Sequence, residues 1–207
     1  MKRFEQKYLL DSININNVLK KINAKPVYNS RWINSIYYDT KDFILYNESV
    51  EGTVPRKKIR FRWYGQNKNK NKNNQNGTIE VKTTFQFHRD KSSIKVANVS
   101  QKEINFECNK FIGLSCFPVT QVSFYRKYYE APKKIRVTID KAIKFQNFGD
   151  NIQRNTSLYP YDIFEIKMPI ENDVSSIQSM LGDKNTRFSK YCLSIETLKN
   201  INLNSNL

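Results

Sequence analysis

Apolar and polar residues alternate with a period of two along much of the chain, and the clearest run is residues 57–65, Lys-Lys-Ile-Arg-Phe-Arg-Trp-Tyr-Gly. Successive side chains of a β-strand point to opposite faces, so Lys58, Arg60 and Arg62 line one face while Ile59, Phe61 and Trp63 line the other. Taken alone, such a strand is an ordinary half-buried one with a solvated face. The design, however, recurs. Arg3, Glu5 and Lys7 alternate with Phe4 and Tyr8, and Glu80 and Lys82 with Ile79 and Val81. Arg136, Thr138 and Asp140 alternate with Ile135, Val137 and Ile139, while Glu165 and Lys167 flank Ile166. If these strands close into one sheet with helices on its apolar outside, their charges converge on one interior. Like charges crowded in low dielectric repel and lose hydration, so that interior makes physical sense when a polyanion and its metal ions fill it.

The remaining pattern fills in the elements. Residues 2–10 form the first strand; Asp11 or Ser12 caps a helix with an apolar stripe of Ile15, Val18, Leu19 and Ile22 ahead of Pro26. Residues 33–40 make the second strand, with a short turn or helix around Asp42 and Tyr46. Residues 57–65 are the third. Residues 66–77 are an Asn/Lys-rich run ending in Asn-Gly, expected as a mobile hairpin loop. Residues 78–84 form the fourth strand, another strand lies near 102–107, and 111–117 is expected as a short helix or buried turn closed by Pro118. Strands over 121–129 and 134–139 follow, then a polar loop over 147–157 and a last strand over 161–168 stopped by Pro169. A helix capped by Asp173 or Ser175 runs through Leu181 to Gly182, and a final helix covers about 189–198. The sum is an α+β domain: a closed antiparallel barrel of about eight strands, helices packed outside and a C-terminal helix, all within one domain over 1–207.

Composition narrows the partners. A chain of 207 residues with 13% aromatics can bury a real core. A formal net charge of +16 predicts an anionic partner, although Lys, Asn and Ile abound throughout, as an AT-rich genome gives, so part of that charge carries no message. Three cysteines without paired spacing argue against a disulfide framework or zinc site, and one histidine, His88, excludes a histidine-based triad. Charged residues at positions 2, 3, 5 and 7 leave no room for an apolar signal segment, and no stretch approaches membrane-spanning length. The expectation is a soluble cytoplasmic protein, associated with membrane only through a separate membrane protein.

Arg3-Phe-Glu5-Gln-Lys7-Tyr8, Ser35-Ile-Tyr37-Tyr38-Asp39-Thr40, Arg60-Phe-Arg62-Trp63-Tyr64-Gly65, Glu80-Val-Lys82-Thr83, Tyr125-Arg126, Arg136-Val-Thr-Ile-Asp140, Phe164-Glu165-Ile-Lys167 and Arg187-Phe188-Ser189-Lys190-Tyr191 occur in that order. This ordered set resembles the polyphosphate polymerase domain of the vacuolar transporter chaperone (VTC) proteins, in the CYTH-like triphosphate tunnel metalloenzyme superfamily. The resemblance implies that Lys7, Arg60, Arg62, Lys82, Lys95, Arg126, Arg136, Lys167, Arg187 and Lys190 bind phosphates inside a tunnel, with a hydroxyl contact from Ser189. Arg60, Arg62 and Lys190 would serve the reaction itself, and Glu165 would hold a catalytic manganese or magnesium ion. Two positions depart from the family: Arg187 stands where lysine is usual, and Phe124 where tyrosine is, which removes a hydroxyl.

The resemblance implies a metal-dependent polymerase that passes the γ-phosphoryl group of ATP to phosphate or a growing polyphosphate chain. Two alternatives share the face: a triphosphatase, and a non-enzymatic module binding polyphosphate or inositol phosphates. Hydrolytic relatives usually open with Glu-x-Glu-x-Lys, whereas Arg3 precedes Glu5 here, which tilts the balance toward anion binding and polymerisation. Nucleic acid is not an expected partner, because Trp63 and its aromatic neighbours alternate away from the charges.

Overall fold

The run that dominates the sequence forms the strand β3, Arg56–Tyr64, and its alternation is the expected one: Ile59, Phe61 and Trp63 are buried while Lys58, Arg60 and Arg62 are half-buried. The computed structural model describes residues 3–10, 12–65, 74–148, 156–169, 179, 181 and 188–204. Its other strands are β1 (Arg3–Leu10), β2 (Lys25–Asp39), β4 (Asn74–Thr84), β5 (Arg89–Ser100), β6 (Phe117–Ala131), β7 (Ile135–Asn147), β8 (Thr156–Leu158) and β9 (Asp162–Pro169). The helices are α1 (Ser12–Lys21), α2 (Ile44–Glu51), α3 (Gln101–Ile112) and α4 (Lys190–Asn204).

The strands join in a nine-stranded antiparallel sheet, in the order β1-β9-β7-β6-β2-β3-β4-β5, with β8 added on β7. The α+β class and the antiparallel sheet are as expected, but the hydrogen-bonded path is open rather than closed. Among the described residues it ends at β5, whose first five residues, 89–93, are all exposed and polar or charged. That composition protects an edge strand from further pairing.

The chain packs as two compact units. The first comprises Met1–Trp32, Phe124–Ile143 and Leu158–Phe188. Its core joins Tyr8 of β1, Val137 and Ile139 of β7, and Phe164 and Ile166 of β9 to Ile15, Val18 and Leu19 of α1. Spacing of three and four residues puts those three on one helical face, as the stripe predicts. The second unit comprises Ile33–Ser123, Lys144–Ser157 and Ser189–Leu207. Here Ile59, Phe61, Trp63, Ile79 and Val81 pack beneath Ile104 and Cys108 of α3. Gly77 permits the closest approach on this side, since a Cβ there would stand 2.5 Å from the Phe61 ring. In each unit the apolar strand face takes a helix, which leaves the ionic face for other work.

Several expectations are corrected. Residues 102–107 are helical, not extended. Ser100 accepts from the Glu103 amide at 3.4 Å while the Glu103 carboxylate accepts from the Ser100 amide at 2.7 Å, a reciprocal cap that starts α3. Ile104 is then buried and Phe106 is exposed, the reverse of a shared strand face. No short helix covers 111–117: Gly113 ends α3 in the left-handed conformation, and Phe117 and Pro118 open β6, where proline at a strand start costs no ladder bond. β2 begins at Lys25 and not at 33; its first half is largely exposed and so lacks the buried pattern that marks 33–39. Of the expected loop 66–77, residues 66–73 lie outside the described residues and 74–77 belong to β4. Most of the expected helix ending at Gly182 also lies outside them.

Candidate functional site

In the second unit, register lays the charged face out in rows. Tyr37 on β2 stands beside Arg60 on β3, Arg60 beside Glu80 on β4, and Glu80 beside Ser93 on β5. The neighbouring rows are Ser35-Arg62-Thr78-Lys95 and Lys58-Lys82-Lys91. Glu80 is the hub: only 6% exposed, it accepts from Arg60 Nε at 2.6 Å and from Lys91 Nζ at 2.5 Å, with Arg62 Nη1 at 3.8 Å. Burial pushes this carboxyl up, but Arg60, Lys91 and Arg62 outweigh it and hold it at about 2. Arg62 also donates from Nε to Ser35 Oγ at 3.3 Å.

The start of α4 closes onto this face. Lys58 Nζ donates to Ser189 Oγ at 2.8 Å, and the Tyr191 ring stacks on Tyr37 at 5.1 Å. Burial raises the Tyr37 phenol, yet Arg60, Arg62 and Lys190 together bring it below the ordinary tyrosine value. Lys190 therefore belongs to the same electrostatic cluster as both arginines. Lys82 and Lys95 extend the face outward and are exposed.

In the first unit the hub is Glu165 of β9, 7% exposed. Lys7 lies beside it on β1 and Thr138 on β7; the next row is Glu5-Lys167-Arg136. Lys167 Nζ is 2.8 Å from Glu165 and 3.6 Å from Glu5, while Lys7 Nζ lies 3.8 Å from Glu5 and donates to the Phe188 carbonyl at 3.2 Å. Burial again pushes Glu165 up, and Lys7, Lys167 and Arg126 more than reverse it, to about 2. Arg126 grips Asp140 in a two-pronged pair at 2.5 and 2.7 Å and lies over the Phe124 ring at 5.2 Å. The departure at Phe124 thus replaces a hydroxyl with a buried ring that stacks under the guanidinium.

Thr138 Oγ1 is buried without a hydrogen-bond partner at the register position facing Glu165. One ionised carboxylate plus that hydroxyl suits a hard divalent ion which keeps most of its waters and takes its other oxygens from phosphate. Among the described residues no cluster of three or more His, Cys, Asp or Glu forms a dedicated metal cage.

The sequence-predicted residues therefore fall into two sets. Arg60, Arg62, Lys82, Lys95, Ser189 and Lys190 gather in one unit, and Lys7, Arg126, Lys167 and Glu165 in the other, with Arg136 exposed at its edge. Arg187 lies outside the described residues. Sequence reasoning missed Glu80 and Tyr37 as members. The signal was present in part: Glu80 alternates with Ile79 and Val81, but its placement beside Arg60 depends on a hairpin register that the intervening Asn/Lys run hides. The three cysteines are buried and unpaired, and burial pushes Cys116 up to about 11 and Cys108 up to about 12, as for inert core thiols. His88 stacks on Phe85 at 4.4 Å in the β4–β5 turn.

Acid should reveal both carboxylates. Each has a folded value near 2 against an ordinary 4.5, so its stabilisation is fully present above pH 4.5 and disappears as pH falls toward 2. At 1.36 kcal/mol per unit, each is worth on the order of 3 kcal/mol. Denaturation midpoints measured from pH 6 down to 3 should fall steeply below 4.5; a flat profile contradicts the paired, ionised carboxylates.

A family model described as the VTC domain matches residues 2–199. No curated protein matches the chain. Among solved structures, a Pyrococcus horikoshii protein aligns at TM-score 0.56 and 15% identity, covering 95% of this chain and 99% of its own. A candidate adenylyl cyclase from Hippeastrum with a dominant triphosphatase activity aligns at 0.54 and 9% identity, covering 95% and 96%. A candidate adenylate cyclase from Vibrio parahaemolyticus aligns at 0.52 and 11%, covering 91% and 95%. At these identities the likeness speaks for the fold. Among the described residues no helix is long and apolar enough to cross a membrane.

Proposed function

Because the chain belongs to the VTC domain family of triphosphate tunnel proteins, we propose that it is a metal-dependent phosphotransferase, moving the γ-phosphoryl group of ATP onto phosphate or a growing polyphosphate chain. The observation that carries this reading is the β3–β4 face, where two arginine forks are held on one buried carboxylate beside Lys58 and Lys190. Phosphoryl transfer asks a protein mainly for positioning and charge neutralisation. Arginine supplies planar, bidentate grips on phosphate oxygens, and lysine supplies point charges. Glu80 orients the arginines and lowers their mutual repulsion before a ligand arrives. The attacking group is the terminal oxygen of the acceptor phosphate, so the chain needs no nucleophile of its own. A divalent ion, when bound, neutralises charge on the phosphates; Glu165, with Thr138, is the place where this chain would hold it.

Hydrolysis is the second reading, favoured by one observation: Glu5 and Glu80 add carboxylates to the basic faces beyond Glu165. Against nucleic acid stands the burial of Phe61 and Trp63 on the apolar side of β3, away from the cations. The test is incubation of purified protein with ATP and Mn²⁺ or Mg²⁺, following ADP, free phosphate and long-chain polyphosphate together. ADP with polymer is the expected result. Free phosphate without polymer makes the protein a triphosphatase, and tight polyphosphate binding without turnover makes it a receptor.

A further inference from the structure

Asp39, the last residue of β2, is fully buried. Its Oδ1 accepts from the Thr40 amide at 2.7 Å and the Leu45 amide at 2.9 Å; its Oδ2 accepts from the Tyr46 amide at 2.9 Å and from the Tyr191 hydroxyl. Leu45 and Tyr46 carry first-turn amides of α2, whose own N-cap residue, Phe43, offers no side-chain cap. Asp39 supplies that cap from upstream, where helix N-termini favour an anion. Capping alone leaves the Tyr191 bond unexplained.

The bond leads back to the ionic face. Burial and the Asp39 charge push the Tyr191 phenol up, so it remains protonated and donates. Its ring, 1% exposed, stacks on Tyr37 with an interplanar angle of 24°. Tyr37 in turn accepts from Arg60 Nη1 at 3.4 Å, on the side of the guanidinium that Glu80 does not hold. We infer that Asp39 and Tyr191, acting through Tyr37, are positioning residues that set the plane of the Arg60 guanidinium for phosphate. A bidentate grip tolerates only a modest error in that plane, so the ring behind it matters as much as the carboxylate in front.

The inference rests on the phosphate-binding reading of Arg60, and the test separates the two. Binding of inorganic triphosphate is measured by calorimetry for the parent protein, Tyr37→Phe, Tyr191→Phe and Asp39→Asn, with thermal melts alongside. Tyr191→Phe keeps the ring and removes only the hydroxyl; with Tyr37→Phe it keeps the test decisive if Asp39→Asn loses α2 and fails to fold. The expected result is about tenfold weaker binding for each phenylalanine variant with the cooperative melting transition retained, lowered for Tyr191→Phe by the lost hydrogen bond to buried Asp39. In an Arg60→Lys background, which has no guanidinium plane to set, Tyr191→Phe should add nothing. Should the parent bind triphosphate while Tyr191→Phe binds equally well, or should the loss persist undiminished beside Arg60→Lys, the positioning role is overturned and the proposed function stands. Should the parent bind no triphosphate, both fall together.

Discussion

Arg60→Ala is expected to weaken triphosphate binding about 100-fold, and to lower stability by about 3 kcal/mol, whereas adding Glu80→Gln should restore most of the stability and none of the binding. Arg60 holds Glu80 through both Nε and Nη2 at 2.6 Å. Removing it leaves a buried carboxylate on Arg62 at 3.8 Å and on Lys91, a lysine more than half exposed. Breaking one side of a buried pair costs about 3–5 kcal/mol, and the two remaining cations bring the figure to the lower end. The neutral amide of Glu80→Gln lifts that penalty because no uncompensated charge remains. Binding does not return, since two hydrogen bonds from a charged fork to phosphate, at about 1.5–3 kcal/mol each, went with the guanidinium, and 1.4 kcal/mol corresponds to each tenfold. Urea denaturation and triphosphate calorimetry on the three proteins check the prediction. Normal binding by Arg60→Ala, or binding regained in the double variant, shows that the ionic face is structural.

That double variant could not have been designed from the sequence. The alternation of Lys58, Arg60 and Arg62 with Ile59, Phe61 and Trp63 fixes which side of β3 is ionic, because period two leaves no other arrangement once one face is buried. The same logic places Glu165 and Lys167, and the stripe of α1, without knowledge of the sheet. What period two cannot supply is register. Glu80 meets Arg60 and Thr138 meets Glu165 through strand pairings between positions 20 or more apart in sequence, so neither contact has a local signature. Asp39 and Tyr191, 152 positions apart, are a sharper case, since each looks like a strand-end or helix residue until the bond between them is seen. The failure at 102–107 was of another kind. Ile104 and Phe106 satisfy an alternating pattern, and Ser100 with Glu103 satisfies a capping box; the box was the stronger signal because it satisfies two otherwise unpaired amides at the helix start.

Glu165→Gln separates the two roles a carboxylate can play among cations, because both leave phosphate affinity equal or higher while only one of them lowers turnover. Glu165 sits ionised among Lys7, Lys167 and Arg126, so the substitution removes one negative charge from a cationic cluster. If Glu165 serves only to neutralise those cations, its loss raises the local positive potential, and a phosphate chain binds better and reacts no worse. If it is the metal carboxylate, inorganic triphosphate without metal binds as well as before or more tightly, while metal-dependent turnover of ATP falls by about 100-fold or more, a loss of about 3 kcal/mol in transition-state stabilisation. We expect the second outcome. The cost to the fold should be on the order of 3 kcal/mol, as for protonation of the same carboxyl, because the amide loses the same attraction to Lys7, Lys167 and Arg126. Turnover that survives in Glu165→Gln with its metal dependence intact removes Glu165 from the metal site. Binding and turnover lost together, with a collapsed melting transition, would make Glu165 a structural partner of Lys167 and nothing more.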